Sequence, residues 1–260
     1  MLLETIDQLN TTQRQFVSWN ARRLNVSEKA SFERLTLSWN AIEGGYGDSR
    51  FREFNVACHD VFQVFYGDDK NEVMASYEFF APLHLLRMLS YPEPLIKPQN
   101  PMVQALQKRS HVTVLDFGCG LAQVSRALSI YLMQQGKKVE LFLADIPTIR
   151  KDFLLYLCSN SDIDTTFLDC TLEQPVPQLP VHNICIATEF FEHVYRPVEY
   201  FEAIDSVLQP EGLLVTNVAN HNREFMHVSP NLAILRDAIA RRGYKTIKSD
   251  KVFLKGLKDN

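Results

Sequence analysis

The chain has 260 residues, 46% apolar and 22% charged, with a formal net charge of −4. This is an ordinary globular composition, long enough for one large domain or a domain with an appendage. The charge gives no basic footprint for nucleic acid, and no apolar run approaches the ~18–20 residues of a membrane span. Five dispersed cysteines without a C-x-x-C pair argue against a disulfide framework or a zinc knuckle, and for a reducing, cytoplasmic setting. The start, MLLETIDQLN, lacks the basic and long apolar regions of a signal peptide.

Residues 1–90 read as helical, with segments at 8–24, 28–42, 51–65 and 71–89, the last interrupted by Pro82. SWNA occurs at 18–21 and 38–41, which suits Trp19 and Trp39 as parallel packing anchors better than a true repeat. Tyr77, Phe79 and Phe80 read as core aromatics, and His59 and His84 as ordinary helical histidines. YPEPLIKPQNP at 91–101 is too rich in proline for a regular element and marks a linker. The expected division is a helical N-terminal cap and substrate region over 1–90, a linker over 91–110 and a second domain over 111–260.

Beyond the linker, strands alternate with helices. Strands are expected at 112–117, 138–145, 165–170, 183–189 and 212–218, and helices at 121–135, 148–158, 196–208 and 231–243. The alternation implies a mostly parallel sheet covered on both faces, a doubly wound α/β architecture. Two last strands, at 244–249 and 251–256, lie too close for a crossover and should pair antiparallel.

The first strand runs into DFGCGLA at 116–122. Gly118 and Gly120 permit a tight turn between a strand end and a helix start, where an open α/β sheet binds ligands. A dinucleotide fingerprint would need glycine or alanine at Gln123, so a nicotinamide cofactor fits poorly. The alternative pattern is D-x-G-x-G-x-G, with Asp116, Gly118, Gly120 and Ala122. Asp145 then ends the second strand, Asp169 the third, TEFFEHV follows the fourth, and LQPEGLL introduces the fifth.

In that order these motifs resemble the class I S-adenosylmethionine-dependent methyltransferases over residues 111–256. The resemblance implies a seven-stranded Rossmann-like sheet of order 3-2-1-4-5-7-6 with the seventh strand antiparallel, and S-adenosylmethionine as cofactor. It implies that Asp116, Gly118, Cys119 and Gly120 border the cofactor's amino-acid part and that Asp145, with Ile146, holds the ribose. Asp169 and Cys170 would meet the adenine, with Thr188 and Glu189 near the transferred methyl. Glu211 departs from the family, replacing the first glycine of an L-x-P-G-G-like turn.

Glu189, Glu192 and His193 share one face if TEFFEHV is helical, and three readings of them stand side by side. In the first they are a helix start, the acids favoured by the macrodipole. In the second His193, His221 or His227, or Glu189, acts as acid or base on the acceptor. In the third, resemblance to ubiquinone-type and small-RNA 2′-O-methyltransferases implies a divalent cation on Glu189, Glu192, His193 and His227. Arg196 and Arg223 flank this region. The leading expectation is methylation of a small-molecule oxygen or nitrogen acceptor, without membrane or nucleic-acid partners. The rivals are a metal-assisted RNA or quinone O-methyltransferase and a non-catalytic partner protein of the same fold.

Overall fold

The computed structural model describes residues 4–36, 88–89, 91, 93–221 and 227–256. The helices expected at 51–65 and over most of 71–89, the second SWNA copy, His59, Tyr77, Phe79, Phe80, His84 and Arg223 lie outside the described residues. Chain contacts divide the molecule into two compact units, 1–92 with 148–153, and 93–147 with 154–260.

In the first unit a 3-10 turn, Ile6–Gln8, precedes α1, Thr11–Leu24. Asn10 sets the start of α1. Its side chain accepts from the Gln13 N–H at 2.8 Å, and the Gln13 side chain accepts from the Asn10 N–H at 2.9 Å, a reciprocal cap that satisfies two otherwise orphaned donors. Asn25, in the left-handed conformation (φ 52°), ends the helix. Residues 28–36 form α2, tied to α1 by buried Ser31, which accepts from Asn20 Nδ2 and donates to the Val17 carbonyl, both at 3.1 Å. Trp19 packs beside Phe16 and Phe153 at centroid distances of 5.9 and 5.3 Å.

The second unit opens within the segment read as a linker. A short helix, α3, Pro101–Leu106, forms there because Pro101 occupies the first helical position, where its missing N–H is not needed. The Asn100 side chain caps it by accepting from the Met102 N–H at 2.9 Å. The sheet follows: β1 His111–Phe117, β2 Lys138–Asp145, β3 Asp164–Asp169, β4 His182–Ala187, β5 Leu208–Thr216, β6 Lys245–Lys248 and β7 Val252–Leu254. Its order is β3-β2-β1-β4-β5-β7-β6, parallel throughout except that β7 runs antiparallel to β5 and β6. The expected topology is the observed one.

The central strands β1 and β4 are buried at nearly every residue because both faces are covered there. Side chains alternate between the faces. Val112, Val114, Ile184 and Ile186 pack with Leu128 and Leu132 of α4, Gln123–Gln134, and with Leu154 and Cys158 of α5, Ile149–Ser159. Leu115, Phe117, Cys185 and Ala187 pack with Phe201 and Ile204 of α6, Pro197–Val207, and with Leu235 and Ile239 of α7, Ala233–Arg241. Cys119, Cys158, Cys170 and Cys185 are all buried and outside any disulfide among the described residues. Among the described residues, no helix is long and apolar enough to cross a membrane.

Two local departures have clear causes. The strand expected from 212 begins at Leu208, which pairs with His182 across an irregularity between His182 and Ile184. Glu211 sits at φ 57°, the left-handed region where the glycine of the family's turn would be unstrained. In the TEFFEHV segment, Glu189 stands at φ 52°, so the chain reverses there. Only Phe191–His193 makes a 3-10 turn, and α6 waits for Pro197. Glu189, Glu192 and His193 therefore do not share a helical face.

Candidate active site

The strand register brings the carboxyl ends of β1 to β5 to one edge of the sheet, pairing Phe117 with Ala144, Asp145 with Asp169 and Ala187 with Thr216. At the end of β1 the turn uses left-handed backbone at Gly118 (φ 68°), Gly120 (φ 53°) and Ala122 (φ 50°). The Gly118 N–H donates to the Ala144 carbonyl at 2.8 Å, which anchors the turn to β2. A Cβ on Gly118 would lie 2.3 Å from Phe190 Cδ2, so only glycine lets the ring after β4 close over the turn. Phe190 is held there by Phe117, Phe191 and Tyr200 at centroid distances of 4.9, 5.2 and 5.4 Å.

Asp116 is buried, and Ser125 Oγ, in the first turn of α4, donates to its Oδ2 at 2.5 Å. Burial pushes the Asp116 carboxyl up to about 8 despite that hydrogen bond, and the nearby Asp145 charge adds to the rise. The Asp145 carboxylate accepts from the Gly120 N–H and from its own neighbour's, Ile146 N–H, both at 2.7 Å, so it clips the end of β2 to the glycine turn. Each carboxylate oxygen can accept a second hydrogen bond. Cys119 Sγ lies 3.9 Å from Asp145 Oδ2. The Cys170 N–H donates to the Asp145 carbonyl at 2.9 Å, and burial pushes the Cys170 thiol up to about 12, so it is no nucleophile at neutral pH. Asp169 is exposed at the end of β3.

After β4, Thr188 is half-buried and Glu189 exposed. Asn217, just past β5, donates from Nδ2 to Glu189 Oε1 at 3.0 Å. Glu192 is fully buried. Neither carboxylate oxygen has a hydrogen-bond partner among the described residues, although His193 Nε2 lies 3.8 Å and His221 Nδ1 3.7 Å from Oε1. Burial pushes the Glu192 carboxyl up to about 8, and the Glu189 charge adds to it. His227 packs edge-on to both rings, 4.8 Å from His193 and 5.5 Å from His221. Two backbone bonds anchor described residues after β5, from the Ser229 N–H to the Glu192 carbonyl at 2.9 Å and from the His221 N–H to the Pro230 carbonyl at 2.8 Å.

The four residues that the resemblance implies as cation ligands, Glu189, Glu192, His193 and His227, do not form one group: Glu192 stands with His193 and His227 in one, and with Glu189 and His221 in another. Within each group the donor atoms lie within 4.8 Å of one another. A buried carboxylate without a partner, beside imidazole nitrogens, is a donor set that a divalent cation fits. Arg196 pairs with exposed Glu199 at 3.2 Å and forms no part of this cluster. Sequence reasoning missed Asn217, Ser125 and Phe190. Asn217 could have been found from its place at a strand tip, but Ser125 and Phe190 carry no signal without the packing.

No family model matches the chain, and no curated protein sequence does. Solved structures do. A protein assigned to the class I S-adenosylmethionine-dependent methyltransferases in Listeria monocytogenes matches 96% of this chain and 87% of its own, at 13% identity and a TM-score of 0.50. Precorrin-6y C5,15-methyltransferase from Geobacter metallireducens matches 64% of this chain and 92% of its own, at 16% identity and a TM-score of 0.42. Coclaurine N-methyltransferase matches 44% of this chain, at 15% identity and a TM-score of 0.36, and the chain spans only 32% of that protein. With the strand order, the Listeria monocytogenes match shows that the chain has the fold of the class I S-adenosylmethionine-dependent methyltransferases.

Proposed function

We propose that the protein transfers the methyl group of S-adenosylmethionine to an oxygen or nitrogen of a small-molecule acceptor. The observation that carries this reading is the junction of the glycine turn with Asp145 at the carboxyl ends of β1 and β2, where such a sheet binds nucleotides. Gly118 and Gly120 would let backbone approach the cofactor's amino-acid part. Asp145 retains acceptor capacity for the ribose hydroxyls, and Asp169, exposed at the end of β3, would meet the adenine. Methyl transfer is an in-line displacement, so holding donor and acceptor in line supplies much of the rate. An acceptor hydroxyl or ammonium must also lose a proton, and His193, His221 and His227 are the bases at hand.

Isothermal titration with S-adenosylhomocysteine tests the cofactor reading without turnover. Micromolar binding by the wild type, lost in Asp145→Ala, supports it. No binding by a folded sample would favour a partner protein on a methyltransferase scaffold. An acceptor screen, with and without chelator, follows.

One observation favours a second reading, cation-assisted O-methylation: Glu192 is buried with neither oxygen hydrogen-bonded among the described residues. Glu192, His193 and His227, with Glu189 as the resemblance implies, would hold the ion. When bound, a divalent cation lowers the pKa of an acceptor hydroxyl and orients it.

A further inference from the structure

We propose that the free edge of the sheet, β6 with the turn after it, docks on a membrane surface rich in anionic phospholipid. The sequence there is RRGYKTIKSDK, residues 241–251, with five cations and one acid in a chain whose net charge is −4. Arg242 is engaged within the fold, by Glu202 at 3.6 Å and Asp205 at 3.7 Å. Arg241, Lys245, Lys248 and Lys251 are exposed and form no ion pair among the described residues. Asp250, the one acid, is half-buried and accepts from Ser249 Oγ at 3.3 Å.

The fold makes this segment an edge. β6 is last in the sheet and pairs with β7 on one side. Before it, Tyr244 is buried, its ring 5.7 Å from that of Phe201. After it, the Asp250 and Lys251 carbonyls accept from the Val218 and Thr216 N–H groups at 3.0 and 2.9 Å. Between these anchors every residue of β6 is exposed. Lys245 and Lys248 stand roughly 10 Å apart along the strand. The Lys251 N–H donates to the Lys248 carbonyl at 3.1 Å, so the turn folds the third lysine back beside the second. Ile247 lies among them, 46% exposed, where the register with β7 shifts. Because β6 runs parallel to β5, this turn lies at the edge of the sheet that carries the candidate site.

Lysines and irregular pairing on an edge strand also guard against pairing with another sheet. That accounts for Lys245 and Lys248, but not for Arg241 at the end of α7, Lys251 in the turn or the exposed Ile247. Four unpaired cations around an aliphatic side chain match an anionic lipid surface, which attracts the charges and admits the apolar group between headgroups. Single-stranded nucleic acid matches less well: it needs an aromatic platform, and the one aromatic of the segment, Tyr244, is buried. A long apolar run is required to span a membrane, not to rest on one, so the proposal departs from the expectation of no membrane partner without needing such a run.

The test is co-sedimentation of the full chain with vesicles of mixed phosphatidylserine and phosphatidylcholine, against phosphatidylcholine alone. Each cation near such a surface contributes about fivefold in affinity, so half-binding is expected at about millimolar mixed lipid. The double variant Lys245→Gln with Lys248→Gln should weaken binding by about 25-fold, and Ile247→Ser by about threefold. Lys108→Gln, an exposed lysine before β1, should change it by less than about twofold. Ionic strength of about 1 M should release the wild type. All these side chains are exposed, so each variant should melt within about 2 °C of the wild type.

The proposal is overturned if the wild type fails to prefer the anionic vesicles, if the double variant binds as the wild type does, or if Lys108→Gln weakens binding as much. Tighter binding to a single-stranded RNA oligomer than to the vesicles would assign the edge to nucleic acid and overturn it too. The proposal stands apart from the methyltransferase reading, which S-adenosylhomocysteine titration of the same samples decides. These variants should leave that titration unchanged.

Discussion

Gly118→Ala isolates the contact that joins β1 to the segment after β4. An L-residue at φ 68° costs about 1–2 kcal/mol from its own Cβ. The new methyl would also lie 2.3, 2.9 and 3.1 Å from Phe190 Cδ2, Cγ and Cβ. The ring has little room to retreat, because Phe117, Phe191 and Tyr200 hem it in. Overpacking of this kind adds about 1–3 kcal/mol. The expected loss is about 2–5 kcal/mol, or roughly 5–15 °C in Tm for a chain of this size. Urea denaturation of the wild type, Gly118→Ala, Phe190→Ala and the double variant separates the two terms. Phe190→Ala alone should cost about 3–5 kcal/mol through its lost ring contacts. The double variant should be more stable than additivity by about 1–3 kcal/mol, because the contacts with Cγ and Cδ2 are gone while the left-handed strain remains. A Gly118→Ala variant within about 0.5 kcal/mol of the wild type, or strict additivity in the double variant, refutes the reasoning.

Three further outcomes follow from buried polar groups. Asp116 titrates near 3.8 when unfolded and is raised to about 8 by burial, so between these values the unfolded chain ionises while the folded one keeps its proton. The wild type should therefore lose stability as pH rises through that window, and Asp116→Asn, which can still accept from Ser125, should remove that part of the slope in unfolding free energies at pH 5, 7 and 9. His182, buried at the start of β4 with Nδ1 2.9 Å from the Pro180 carbonyl, is lowered to about 4 by burial from an ordinary 6.5. Its contribution is lost as pH falls from about 6.5 towards 4, and His182→Asn should flatten that acid limb. Lys255 donates to Asp205 Oδ1 and to the Leu208 carbonyl, both at 2.9 Å, and Tyr244 OH donates to the same carboxylate oxygen at 2.8 Å. Lys255→Met leaves that buried carboxylate under-compensated and should cost about 3–5 kcal/mol in thermal or urea unfolding, whereas an unchanged midpoint would show that the network adds little.

The sequence by itself determined the sheet. Short apolar runs alternating with 3.6-period segments dictate parallel strands with helices on both faces, and the close spacing of β6 and β7 leaves only an antiparallel return. Gly118, Gly120 and Asp145 could be read as neighbours, because a strand end, a turn and a helix start are local facts. Tertiary structure decided the rest. The capped helix at Pro101 lay hidden in a run of prolines. The spacing of Glu189, Glu192 and His193 suggested one helical face, but the left-handed backbone at Glu189 breaks it and turns that side chain towards Asn217. His221 and His227 meet Glu192 because the Ser229 N–H ties the residues after β5 to the Glu192 carbonyl, while the His221 N–H bonds to the Pro230 carbonyl. Side chains so far apart in the chain are brought together by strand order and loop hydrogen bonds, and no local period encodes either.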